Sequence, residues 1–220
     1  AVFEELGYNV AVHGQKSFNG VALLSKHPLE DVRRGLPGDD DDVQARYIEA
    51  NVTVKDMTVR VAGIYLPNGN PLGTEKFDYK LAWMDRLYAH AQATLLNEEL
   101  FLIAGDYNVI PDPIDCRKPE NWLNDALYQP ESRDAYRDLV HLGMTDALRA
   151  TNPAPETYTF WDYQAGAWNK NNGIRIDHFL LSPQAADRLA TCAIDKHTRA
   201  WEKPSDHVPI GIELASSGEA

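Results

Sequence analysis

Leu100-Phe101-Leu102-Ile103-Ala104-Gly105-Asp106-Tyr107-Asn108 is the stretch on which the fold turns. Leu100 to Ala104 is an unbroken apolar run, short enough to read as a strand buried on both faces. Gly105 ends the run, and polar groups follow at once. Residues i and i+2 of an extended segment face the same way, so Asp106 and Asn108 can converge on one point, one as acceptor or base and the other as amide donor. The alternative is an Asx turn that caps the strand. The stretch alone leaves both open.

Outward from it, period-2 alternation predicts strands over Tyr8 to His13, Gly20 to Ser25, Arg46 to Val52 and Thr58 to Tyr65. Further strands are expected over Thr157 to Trp161, Arg175 to Ser182 and Val208 to Leu214. Leu81, Met84, Leu87/Tyr88, Ala91 and Leu95 mark one stripe of a long amphipathic helix, and Ala135, Leu139 and Leu142 mark a second helix, closed by Gly143. Pro67-Asn68-Gly69-Asn70-Pro71 is a dense turn signal, and residues 111–133 read as an irregular loop. Strands outnumber helices and many are neighbours in sequence. The expected class is therefore α/β, with antiparallel pairing and helices packed outside one or two sheets. One domain over 1–215 with a short tail over 216–220 is expected. Phe3, Leu6 and Gly7 read as the last turns of a helix that has no start, so the chain is expected to begin inside an element.

Composition narrows the function. The 220 residues contain no apolar run of membrane-spanning length, so no membrane partner is expected. Two cysteines exclude a disulfide framework and a four-thiolate zinc site, and fit a reducing compartment. The net charge of −12 argues against a protein that grips nucleic acid by bulk electrostatics. Phosphate would have to be met by a local basic patch or through a divalent cation. Asp39 to Asp42 reads as a solvated loop, because the spaced ligands and distal Glu of a calcium loop are missing.

Polar residues gather where strands end. Tyr65 closes one strand before the Pro-Asn-Gly turn. Asp177 lies inside an apolar strand and needs a partner, which is either the neighbouring Arg175 or a distant histidine. Asp206 and His207 are consecutive, so in an extended segment they point oppositely: Asp206 towards a cation, His207 towards a carboxylate such as Asp177.

Taken together, Gly7-Tyr-Asn-Val10, His13-Gly-Gln-Lys16, Gly20-Val-Ala-Leu-Leu-Ser25, Arg33-Arg-Gly-Leu-Pro-Gly-Asp-Asp40, Tyr65-Leu-Pro-Asn-Gly69, Gly105-Asp-Tyr-Asn108, Thr159-Phe-Trp-Asp-Tyr163, Gly173-Ile-Arg-Ile-Asp177 and Lys203-Pro-Ser-Asp-His207 resemble the exonuclease III family of apurinic/apyrimidinic endonucleases, in the endonuclease/exonuclease/phosphatase superfamily. The resemblance covers nearly the whole chain. It implies a two-sheet, mostly antiparallel α/β sandwich of the pancreatic-deoxyribonuclease kind, truncated at its N-terminus. The family begins with a strand–helix–strand unit carrying a functional Asn and a metal-binding Glu, and no such segment occurs here.

The implied activity is a divalent-metal-dependent DNA repair nuclease that cuts at abasic sites and removes 3′-terminal nucleotides or blocks. It would act on double-stranded DNA as a cytoplasmic monomer, weak or inactive without the missing segment. By the same resemblance Asp106 orients or deprotonates the water, Asn108 donates to a phosphoryl oxygen, Asp177 holds His207, protonated His207 binds the phosphate, and Tyr65 supplies a phenol beside it. Mg²⁺ or Mn²⁺ would be held by Asp206 and the missing Glu, with Asp106, Asn108 and His207 as further metal contacts. DNA contacts fall to Lys16, Arg175 and a wedging Phe18, and an abasic pocket to Phe160, Ile174 and Ile176. Two other readings are a phosphatase or phospholipase on the same scaffold, and a catalytically dead DNA-binding module.

Overall fold

The computed structural model describes residues 2–17 and 19–216, so Phe18 and all of the expected tail but Ser216 lie outside the described residues. In chain order the elements are α1 (Val2–Glu5), β1 (Asn9–Gly14), β2 (Gly20–Ser25), β3 (Leu29–Arg34), β4 (Tyr47–Val54), β5 (Met57–Tyr65), α2 (Glu75–Leu95), β6 (Leu100–Asp106), α3 (Pro130–His141), β7 (Thr145–Asp146), α4 (Ala147–Thr151), β8 (Asp177–Leu181), α5 (Pro183–Ala186), β9 (Leu189–Ile194) and β10 (Ile210–Leu214). Six strands form the central sheet in the order β3-β4-β5-β6-β8-β7, and β1-β2 and β10-β9 are separate two-stranded ribbons. Every pair is antiparallel except β5 with β6. A parallel pair needs a crossover, and α2 supplies it.

Strand parity divides the core in two. Ala62, Ile64, Phe101, Ile103 and Leu180 face the helices and pack on Trp83, Met84 and Leu87 of α2 and Leu139 of α3. Burying each such side chain contributes about 1.5–3 kcal/mol. The alternate residues Val59, Val61, Leu102, Ala104, Phe179 and Leu181 face the other way, where Cys192, Ile212 and Leu214 of the β9–β10 ribbon cover part of them. The β1–β2 ribbon packs beside them on β4 and β5. The second layer of the expected sandwich is thus two separate two-stranded ribbons. A trough lined by Leu23, Val52, Val61, Leu102, Ile212 and Leu214 runs between them.

The sequence expectations differ from the structure at definite places. Residues 157–161 form no strand; Phe160 makes isolated bridges to Ile174 and His207. Strands β3, β7 and β9 appear where none was expected. The Asp39 to Asp42 loop is exposed through Asp41, but Asp42 is tied down by the Tyr79 hydroxyl at 3.0 Å and by Arg86. Among the described residues no helix is long and apolar enough to cross a membrane.

Candidate active site

Three of the expected residues form one row across the sheet. Tyr65 is the register partner of Asp106 across β5–β6, and Asp106 is the partner of Asp177 across β6–β8. Register partners share a face, and parity places this row on the ribbon side, continuing the lines Val61-Gly63-Tyr65, Leu102-Ala104-Asp106 and Leu181-Phe179-Asp177. Each apolar line changes to a polar residue at the same edge. Gly105 permits the row: at φ +142° a side chain is disfavoured, and its Cβ would lie 2.0 Å from Ile64 O.

His207 reaches the row from outside the sheet. Its Nδ1 lies 2.9 Å from Asp177 Oδ2, and its ring packs at 5.0 Å on Phe160, with which it also bridges through the backbone. The partner of Asp177 is therefore the distant histidine. Asp206 gives its carbonyl to the Trp161 N–H, which holds the strap that carries His207. The choice between convergence and an Asx turn at Asp106 does not arise, because the structure has both. Asn108 N donates to Asp106 Oδ1 at 2.8 Å, and Asn108 Nδ2 lies 3.2 Å from Asp106 Oδ2.

The charges interact strongly. Burial raises the Asp106 carboxyl well above the ordinary carboxylate range, and the neighbouring Asp177 adds to it. His207, the Asn108 N–H and Lys80 work against that rise without cancelling it. Burial disfavours the His207 imidazolium, but the Asp177 hydrogen bond and the charges of Asp177, Asp106 and Asp206 outweigh it and carry the pKa to about 9. Burial, Asp106 and Asp206 raise the Tyr65 phenol, while Arg46, stacked 5.0 Å from its ring, pulls the other way. The site thus presents a reluctant carboxylate, an imidazolium and a neutral phenol on one edge.

The proposed DNA contacts divide into two groups. Lys16 is exposed in the β1–β2 turn, which Gln15 and Asn19 fasten to Ala45 and Gln44 beside Arg46. Phe160 is half-buried against His207. Arg175 is different: it is 1 % exposed, and its guanidinium is spent on Asp115 (2.6 Å), Asp146 (2.8 Å) and His178 (2.8 Å). It has no donor turned to solvent, so the backbone contact expected of it is replaced by a scaffold role. Ile174 and Ile176 are 2 % and 3 % exposed in a core wedge with Cys116, Leu127 and Trp122, so neither lines an open pocket.

Two residues at the site were not assigned from the sequence. Asn68 Nδ2 donates to Asn108 Oδ1 at 3.0 Å, and Lys80 lies beneath both asparagines. The first stands in the quoted Tyr65 to Gly69 motif. The second interrupts the apolar stripe of α2, and that interruption was the available signal.

The donor set bears on a cation. The oxygens of Asp106, Asp206 and Asn108 suit a hard ion, and the like-charged pair Asp106 and Asp177 gains from one nearby. His207 stands apart from these oxygens, with its Nδ1 turned to Asp177 at 2.9 Å. Among the described residues no three His, Cys, Asp or Glu side chains gather as a metal cage. The residues present fit an ion of the Mg²⁺ kind, which keeps several waters and takes one or two carboxylates plus a phosphate.

Residues 2–207 match the endonuclease/exonuclease/phosphatase family. Exodeoxyribonuclease III of Haemophilus influenzae is 37% identical over 225 residues, covering 97% of this chain and 83% of that protein. The 3′ phosphatase NExo from Neisseria, solved bound to a product DNA hairpin, superposes with a TM-score of 0.93 at 35% identity, over 98% of this chain and 82% of that one. An AP endonuclease from Archaeoglobus fulgidus gives a TM-score of 0.90 at 36% identity, over 97% and 82%. The chain belongs to the endonuclease/exonuclease/phosphatase family and, within it, is a nuclease of the exonuclease III branch.

Proposed function

We propose that the protein hydrolyses the DNA phosphodiester beside abasic sites and also clears 3′ ends. The observation that carries this is the single row Tyr65–Asp106–Asp177 with His207 closed onto it at 2.9 Å. Asp106 takes the proton of the attacking water. Its raised pKa makes it a stronger base than an ordinary carboxylate and keeps it competent near neutral pH. His207, cationic because Asp177 holds it, binds a phosphoryl oxygen through Nε2, the Tyr65 hydroxyl offers a further donor, and Asn108 fixes the carboxylate that takes the water's proton. Asp206 would hold Mg²⁺ or Mn²⁺, which would supply charge neutralisation at the phosphate.

The test of the main reading is cleavage of a duplex carrying one abasic site, against an intact duplex and a 3′-phosphate-ended duplex. Asp106→Asn and His207→Ala are each expected to lower kcat by about 10²–10⁴-fold while remaining folded by circular dichroism. Release of phosphate from lipid or sugar phosphates with no cut in abasic DNA would replace the nuclease reading with the phosphatase one. Retention of abasic DNA with no cut at any magnesium level would favour a binding module.

A further inference from the structure

Helix α2 carries a lysine on its buried face. Lys80 stands one turn before Met84 and two before Leu87, and it is 0% exposed. Its Nζ donates to two main-chain carbonyls, Asn108 O at 2.5 Å and Asn68 O at 3.3 Å. Burying an amine against neutral carbonyls is costly and pulls its pKa down to about 7, and an apolar residue at this stripe position would pack without that cost. Local choices that work against stability concentrate at functional sites.

The two carbonyls belong to the segments that leave β5 and β6 at the polar edge. Asn108 sits at φ +47°, in the left-handed region that asparagine enters more readily than most residues, and its carbonyl accepts from Lys80. Gly69, at φ +88°, leaves the notch through which the lysine stem passes: a Cβ there would lie 2.7 Å from Lys80 Cδ and 3.1 Å from Ala126 Cβ. Above the carbonyls the side chains interlock. Asn68 donates to Asn108, Asn70 donates to Asn68 at 2.9 Å, and Asn108 donates to Leu66 O at 2.8 Å.

We propose that Lys80 is a positioning residue of this site: its Nζ clamps the Asn68 and Asn108 carbonyls together, and so fixes both asparagine amides and, through the Asn108 N–H, the Asp106 carboxylate. The proposal rests on the reading of the site as hydrolytic. Lys80 touches neither substrate nor reacting atoms; it acts through the two backbones that it joins.

Lys80→Met keeps the stem and removes the donors. Leu87→Ala opens a cavity two turns along the same helix and controls for lost stability. Two readouts are taken on the 220-residue chain with an abasic duplex and Mg²⁺. Lys80→Met is expected to lower kcat about 100-fold, the scale of a small misplacement of reacting groups, with the Kd for uncleaved duplex within about twofold of the parent. Leu87→Ala, assayed where it is folded, is expected to stay within about threefold in kcat. The second readout needs no turnover: the side-chain amide resonances of Asn68 and Asn108 in ¹H–¹⁵N spectra should move in Lys80→Met and hold in Leu87→Ala. If Lys80→Met does not fold, Gly69→Ala, which keeps the charge and displaces the stem, should shift the same resonances and lower kcat about tenfold. Unmoved asparagine resonances, or an equal loss of kcat in Leu87→Ala, would overturn the clamp. A parent that leaves abasic duplex uncut while these resonances do move would count against the hydrolytic reading instead.

Discussion

His207 and Asp177 show what one contact decides. Against burial, their 2.9 Å hydrogen bond and the charges of Asp177, Asp106 and Asp206 raise the imidazole pKa from 6.5 to about 9, so the ring is cationic at neutral pH. A group whose folded pKa is raised contributes stability that is full below its ordinary value and is lost as pH climbs through the folded one. The contribution of this pair should therefore fade between about pH 6.5 and pH 9, and phosphate binding by His207 should weaken over the upper end of that window. Histidine proton resonances followed through a pH titration should show one ring with a midpoint near 9, moving down towards 6.5 in Asp177→Asn. An unmoved midpoint would remove Asp177 from the role. The sequence offered two partners for Asp177 and could not choose between them. The choice turns on Arg175 being consumed by Asp115 and Asp146, which lie far from it along the chain, and nothing local to Arg175 reveals that.

Among the elements, legibility followed the strength of the pattern. β2 and β6 begin at the residues their sequences predict, because one alternates between turn signals and the other is an apolar run closed by glycine. β3 is invisible for a physical reason: Leu29-Glu-Asp-Val-Arg-Arg34 is an edge strand, mostly exposed and with shifted register, so burial imposes no period on it. Residues 157–161 carry strand-like residues, yet only Phe160 bridges. The stripe of α2 was read from its apolar members and so passed over Lys80 and Trp83, which are both buried. Two substitutions test the elements that hold the site. Gly105→Ala must push β5 from β6 to clear Ile64 O, and should cost about 1–3 kcal/mol or more in urea unfolding together with most of the activity. Arg175→Met leaves Asp115 and Asp146 without their main counter-charge and should cost about 3–5 kcal/mol, against little change if the guanidinium served only DNA.

At the scale of the whole molecule, the acidic balance visible in the sequence conceals where the charges are used. Glu49 is 1 % exposed on β4 and is held by the Tyr47 hydroxyl at 2.6 Å, His90 at 2.9 Å, Arg33 at 3.3 Å and Arg60 at 3.4 Å, which ties the sheet to α2 well away from the site. Burial opposes its ionisation, but the hydrogen bonds from His90 and Tyr47 and the charges of His90 and Arg33 prevail and hold its pKa at about 2. A depressed carboxylate contributes stability that is full above its ordinary value and is lost as pH falls through the folded one. Glu49 should thus stabilise the fold by up to about 3 kcal/mol at neutral pH, and lose that contribution between about pH 4.5 and pH 2. Glu49→Gln should lower the neutral Tm and flatten the acid limb of a Tm against pH curve. An unchanged acid limb would mean that other carboxylates govern acid unfolding.

The row Tyr65–Asp106–Asp177 joins strands that lie far apart along the chain, one across a parallel pair with a helical crossover and one across the long excursion from β6 to β8. Contacts between such distant segments are slow to form, because the loops that they close must be ordered first. No hairpin or other local unit contains the row. In a refolding experiment nuclease activity should therefore return only with the last cooperative phase, after most helical signal has recovered, and no partly folded species should cut DNA.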